Sequence, residues 1–266
     1  MIFYSSFNSP SLQDAPEKSK IIQIILENCY KDQLQDTDVV IATNNVGLKT
    51  KFGLSHLNLV DIKNVHNNSK IILYLVDVEY KEYISYHYEV LKCVDEVWSS
   101  EPDIVNMCLL HDIQAYYKPL VHTPALQLIK NKIDPKLDIL LYNSVDFFTS
   151  PLLKLLIDKN LKVFNTNNFD ILNKNLGDAK IVLHLPHYFV SGYCDPNRYV
   201  KNEESFLQEQ TKLRYLLSNN KCVITKKCVH NHYSNLVSIT FDEILEVIFY
   251  LLENDRWKNF TKSYIK

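Results

Sequence analysis

The chain has 266 residues, 46% of them hydrophobic, and a formal net charge of -2. That length holds two compact lobes, each with a core of its own. The charge balance argues against nucleic acid as the main partner, and no apolar run reaches the roughly 18 residues that a membrane span needs.

Ile2–Tyr4 reads as a first strand, followed by a polar loop to Asp14 and a helix whose core face is Ile21, Ile22, Ile25 and Leu26. The first residues, MIFYSSFNS, lack the basic start and long apolar core of a secretion signal, so a cytoplasmic protein is expected. The loop also lacks the glycines that cradle a pyrophosphate in a dinucleotide fingerprint. It either meets a ligand or serves as a plain connection.

Val39–Ala42 is the second strand; Asp36-Thr37-Asp38 precedes it and caps a turn. Leu57, Leu59 and Ile62 suggest another short strand before the Asn67-Asn68 turn. Ile71–Val76 is the strongest strand of this half, and it ends in Asp77-Val78-Glu79. The helix expected over Tyr80–Leu91 carries Tyr83, Tyr86, His87 and Tyr88, aromatic spacing that mostly means packing, with His87 a weaker candidate base. Glu96–Trp98 is a strand, and Ser99 and Ser100 before Pro102 read as the cap of the next helix. Ala115–Tyr117 closes the first lobe, Pro119 and Pro124 bracket a linker, and Gln127–Asp134 reads as a short connecting helix. The boundary expected is therefore 1–124 and 125–266.

In the second half, Asp138–Tyr142 is an apolar strand ending in Asn143-Ser144. Ser150 caps a helix that starts at Pro151, with Leu152, Leu155, Leu156 and Ile157 as its core face. A strand at Lys162–Phe164, a helix near Asp170–Asn175 and a buried strand at Ala179–Leu185 follow. After an irregular stretch, Phe189–Glu204, comes a helix with Leu213, Leu216 and Leu217 inward, then a short strand at Cys222–Ile224. Arg198 in the irregular stretch is a possible phosphate ligand or a solvent-exposed arginine. Thr240 and Glu243 form a capping box for Phe241–Asn254. Trp257 and Phe260 are expected to pack back on the first lobe.

Strands alternating with helices of this length imply right-handed crossovers and parallel sheets, whose ligands sit beyond the carboxyl ends of the strands. Asn143, Ser144 and Asp146 follow one such strand; His184, His187 and Tyr188 follow another. Glu209 and Lys212, three residues apart, share the start of the next helix. There a carboxylate can hold vicinal hydroxyls and an ammonium can neutralise a phosphate, or the two form an ordinary solvated ion pair. His184, His187, His230, His232 and Cys228 lack the spacing of a zinc site. Cys29, Cys93, Cys108, Cys194, Cys222 and Cys228 show no CxxC spacing and read as reduced thiols.

The order of elements, with AKIVLHL, E..KLRYLLSNNKCVIT, LYLVDVE and VDEVWSS, resembles the glycosyltransferases of GT-B fold, and within them a group found in bacteria and large DNA viruses. The resemblance covers roughly residues 70–260. It implies two Rossmann-like domains whose parallel sheets face a central cleft. The implied activity moves a sugar from a UDP- or GDP-linked donor to a hydroxyl of a glycan or glycoconjugate, with no metal or other cofactor. In that picture Glu209 holds the ribose hydroxyls, Ser144 and Lys212 stabilise the departing diphosphate, and Asp146, His184, His187 and Tyr188 line the donor site. Glu79 or Asp77 deprotonates or orients the acceptor. Asn143 stands where the group has glycine, Phe148 and Thr149 where it has an arginine pair, Lys212 where it has arginine, and Lys226 where it has glutamate; Ser144 and Glu209 match outright. Those departures allow a second reading, a degenerate GT-B domain that binds a sugar nucleotide or a partner protein without turnover. A third takes Asp77 and Glu79 as the metal-holding Asp-x-Asp of the single-domain GT-A type.

Overall fold

The computed structural model describes residues 1–6, 15–44, 56–78, 87–142, 151–166, 168–184, 210–226, 236–239 and 243–261. The chain divides into two compact units: Met1–Ala125 with Glu209–Lys212, and Leu126–Gln208 with Leu213–Lys266.

In the first unit, β1 (Ile2–Ser6), β2 (Val39–Thr43), β3 (Ile71–Leu75), β4 (Glu96–Ser99) and β5 (Ala115–Tyr117) form a five-stranded sheet in sequence order. Each neighbouring pair is parallel. The connections carry α1 (Ala15–Cys29), α2 (His56–Val65), α3 (Tyr88–Leu91) and α4 (Pro102–Leu109). Because side chains alternate across a strand, Ile41, Leu73 and Val97 share one face and cluster with Leu59, Leu91, Ile104 and Cys108. Val40, Ile72, Tyr74 and Trp98 face the other way and are equally buried, so both faces are covered, as a parallel sheet requires. On that second face the Tyr30 ring meets the Trp98 edge with centroids 5.8 Å apart. The α1 core face is as expected, with Ile21, Ile22, Ile25 and Leu26 all buried.

In the second unit, β6 (Leu137–Tyr142), β7 (Val163–Thr166), β8 (Ala179–His184), β9 (Cys222–Lys226) and β10 (Leu236–Ile239) form a second parallel sheet, in the order β10-β9-β8-β6-β7. Its helices are α5 (Pro151–Asp158), α6 (Phe169–Leu176), α7 (Gln210–Ser218), whose first turn up to Lys212 groups with the first unit, and α8 (Ile244–Leu252). Ile139, Leu141, Ile181, Leu183 and Ile224 pack with Leu152, Leu156, Ile248 and Trp257. Burying an aliphatic side chain of this kind contributes about 1.5–3 kcal/mol. The chain runs outward from β6 to β7, then resumes on the far side of β6 with β8. The winding direction therefore reverses between β6 and β8.

Several expectations are corrected. Residues 56–65 are helical rather than extended: Leu59 and Ile62, three apart, both face the core, the helical period. Gln127–Asp134 is not a helix. A 3-10 turn, Pro124–Leu126, precedes it, and the amides beyond donate away from the segment: Ile129 to Asn219 Oδ1, Lys132 to the Gly177 carbonyl and Lys136 to Asp178 Oδ1. On α5 only Leu152 and Leu156 are buried; Leu155 and Ile157 are exposed at 39% and 54%, because the sheet covers a narrower stripe than the four apolar residues suggested. The N-cap of α4 is Glu101, and Ser99 Oγ accepts from its amide at 3.0 Å instead of capping the helix. β10 was not foreseen. Trp257 and Phe260 lie against the core of the second unit. Glu243 stands at the N-cap of α8; Thr240, its partner in the expected capping box, lies outside the described residues. Among the described residues no helix is long and apolar enough to cross a membrane.

Candidate functional site

The reversal between β6 and β8 sets the place to look. At such a switch point the connections from neighbouring strands leave in opposite directions, opening a crevice beyond the carboxyl ends. Strand pairing puts Thr166 beside Tyr142 and His184 beside Thr225, with Leu141 beside Leu183 one residue earlier. Thr166, Tyr142, His184 and Thr225 thus lie in one row across the strand ends and point to the same face. All four are buried. Inward-facing positions one step earlier on the strands, Leu140, Val182 and Val223, are apolar, so the polarity appears only at the last rung.

Of the donor-side candidates, His184 stands in this row at the end of β8. Ser144, Asp146, His187, Tyr188 and Glu209 lie outside the described residues, as does Glu79 on the acceptor side. Lys212 sits in the first turn of α7 and is 5% exposed, a position that an ammonium rarely takes without a counter-charge or acceptors. Behind it, α7 is held to α6 by the Phe169 and Tyr215 rings, 4.9 Å apart, and by the Tyr215 hydroxyl donating to Asn173 Oδ1 at 2.6 Å.

The first unit gathers a second polar group. Asp77, two residues past β3, is 4% exposed and has a left-handed backbone with φ 51°. Its Oδ2 accepts from the Thr211 hydroxyl at 2.6 Å and its Oδ1 from the Thr211 amide at 3.3 Å. Lys18 Nζ, on α1 and also 4% exposed, lies 3.8 Å from Oδ2. A buried ion pair offsets its desolvation only when hydrogen bonds satisfy the remaining lone pairs, and Thr211 supplies two. Thr43 and Asn44 at the end of β2, and Ser99, Ser100 and Glu101 at the end of β4, are buried too, so polar groups again collect at the carboxyl ends. Tyr74 on β3 donates to the Lys118 carbonyl at 2.8 Å; burial pushes its hydroxyl well above the ordinary value, helped by Tyr30 and Asp77.

Lys18 and Thr211 were missed from the sequence. The signal was there for Lys18: it stands three, four and seven residues before Ile21, Ile22 and Ile25, a charge inside a buried stripe. His87 is buried, its Nδ1 has no hydrogen-bond partner among the described residues, and burial lowers its pKa, which favours the neutral imidazole. In Asp36-Thr37-Asp38, Asp38 Oδ2 accepts from the Gln35 amide at 2.9 Å, the turn cap expected. Among the described residues no group of three His, Cys, Asp or Glu side chains is placed to hold a metal.

No known family model matches the sequence, and no curated protein is similar to it. Among solved structures, a point mutant of TarM from S. aureus in complex with fondaparinux, α-GlcNAc-glycerol and UDP is similar over 91% of this chain and 54% of its own, at 12% identity and a TM-score of 0.50. The glycosylation associate protein (Gap123) complex from Streptococcus agalactiae is similar over 87% of this chain and 51% of its own, at 9% identity and a TM-score of 0.47. The chain spans about half the length of the solved structures it matches. The likeness to TarM shows a shared fold, an α/β architecture of parallel sheets.

Proposed function

We propose that the chain is a glycosyltransferase of GT-B type, moving a sugar from a UDP- or GDP-linked donor to a hydroxyl of a glycan or glycoconjugate in the cytoplasm. The observation that carries this reading is the reversal of strand order between β6 and β8, with a buried polar row at its carboxyl ends. The fold shared with TarM, which was crystallised with UDP and α-GlcNAc-glycerol, supports it, as does the resemblance of the sequence to GT-B enzymes.

In this proposal Glu209 grips the ribose hydroxyls, and Ser144, Asp146, His184, His187 and Tyr188 line the donor site. The reaction breaks the bond between the anomeric carbon and the diphosphate, whose oxygens accumulate charge. Lys212 and backbone N–H groups meet that charge, and this electrostatic help replaces a metal. Glu79 takes the acceptor proton. Calorimetric titration with UDP, GDP and their sugars, followed by a donor-hydrolysis assay with and without chelator, tests the proposal. The expected result is binding of one nucleotide series, and turnover that survives chelation. Loss of activity on chelation points instead to the GT-A arrangement. Glu209→Ala is expected to weaken nucleotide binding by about 1–3 kcal/mol, the scale of a hydrogen bond to a charged group; unchanged affinity removes Glu209 from the site.

A second reading, binding of a sugar nucleotide or a partner protein without turnover, is favoured by Phe148, Thr149 and Lys226 standing where the resembled group has an arginine pair and a glutamate. Tight binding with no turnover across donors and acceptors selects it.

A further inference from the structure

We infer that Asp77 is a positioning residue: through Thr211 it anchors the first turn of α7, the turn that carries Lys212. The inference rests on the proposed donor role of Lys212, and it assigns Asp77 a task other than accepting a proton from the acceptor sugar.

Three observations carry it. First, both carboxylate oxygens are engaged by a single residue, the second of the helix, at 2.6 Å through its hydroxyl and 3.3 Å through its amide. The opening amides of a helix have no acceptor within the helix and carry its positive end, so a carboxylate there is both a cap and a counter-charge. Secondly, the backbone is in the left-handed region at Asp77, φ 51°, where an aspartate sits at some cost. A residue held in that conformation, next to the end of a fully buried strand, delivers its carboxylate to a fixed place. Thirdly, Lys18 faces the same oxygen as the Thr211 hydroxyl, at 3.8 Å, and both lysine and aspartate are 4% exposed. A general base needs an oxygen within reach of the incoming hydroxyl. This carboxylate has hydrogen bonds on both oxygens, an ammonium beside one of them, and almost no exposed surface.

The two roles predict different behaviour of four full-length proteins: wild type, Asp77→Asn, Thr211→Val and Thr211→Ser. Asparagine also tolerates the left-handed backbone, and valine removes only the hydroxyl, so at least one variant of each partner should fold. The readouts are hydrogen exchange at the amides of Thr211, Lys212 and Leu213, and donor KM and kcat. Anchoring predicts faster exchange in Asp77→Asn and Thr211→Val, with a KM raised about tenfold, the scale of one hydrogen bond to a charged group, and kcat within about twofold. Thr211→Ser, which keeps the hydroxyl, should restore both readouts. Asp77→Asn that abolishes kcat while leaving exchange and KM at wild-type values overturns the inference in favour of a proton acceptor. Thr211→Val that exchanges and binds like wild type also overturns it, and faster exchange with an unchanged KM reduces the contact to a structural one and overturns the positioning role. Should the wild type bind neither UDP nor GDP, the donor reading fails on its own; exchange in Thr211→Val then decides the anchor, acceleration supporting it and no change removing it.

Discussion

A buried ammonium at the start of β9 gives the second unit a pH dependence of its own. Lys221 is buried, its Nζ donates to the Ala179 carbonyl at 3.3 Å, and burial lowers its pKa from 10.5 to about 8, with Asp178 opposing the shift. Between those two values the unfolded chain holds a proton that the folded chain has released. Stability from this group is therefore full above 10.5 and is lost as pH falls through about 8. Urea unfolding of wild type should show a gain on the order of 3 kcal/mol from this residue across that window, and Lys221→Met should abolish the gain. An identical pH slope in both proteins refutes the assignment. Two buried thiols are inert for the same reason: burial pushes Cys108 up to about 11 and Cys222 up to about 12. Of the four described cysteines, alkylation at pH 8 should reach the half-buried Cys29 and Cys93 before Cys108 and Cys222.

Among the elements, the segment from Leu126 to Lys136 shows how the chain is fastened without regular structure. Asn219 is completely buried and uses its whole amide: its Nδ2 donates to the Leu126 and Tyr215 carbonyls and its Oδ1 accepts from the Ile129 amide. Asn219→Ala orphans these groups and should cost about 3 kcal/mol in urea unfolding. Gly177 makes the companion contact. A Cβ there would stand 2.6 Å from the Lys130 carbonyl oxygen, so Gly177→Ala should destabilise by about 1–3 kcal/mol through backbone displacement. A neutral Gly177→Ala means that the segment yields at no cost.

These fastenings explain why the sequence reading expected a helix at Gln127–Asp134. Its amide partners lie tens of residues away, where no local pattern reports them. The same reading placed most strands correctly, because runs such as Ile71–Val76 and Asp138–Tyr142 are apolar on both faces, the mark of a covered parallel sheet. It took residues 56–65 for a strand because three apolar residues at mixed spacing fit either period. At the site, His184 and Lys212 were legible as polar groups bordering apolar elements. Thr211 was not, since its partner Asp77 lies 134 residues earlier.

At the scale of the molecule, all the described strand pairings are parallel. No described ladder can begin as a local hairpin; each waits for a crossover to close, as Lys180 meets Asp138 across 42 residues. Chains dominated by such distant pairings gain their contacts late, so refolding should take milliseconds to seconds. The chain has two tryptophans, and each is built into a different core. Trp98 sits under the Lys118 ammonium at 5.0 Å in the first unit, and Trp257 donates to Asp255 Oδ1 at 3.2 Å in the second. Stopped-flow fluorescence of Trp98→Phe follows the second unit alone, and that of Trp257→Phe the first. The protein thus carries one native optical reporter per unit, and the order in which the two assemble can be timed without attaching a dye.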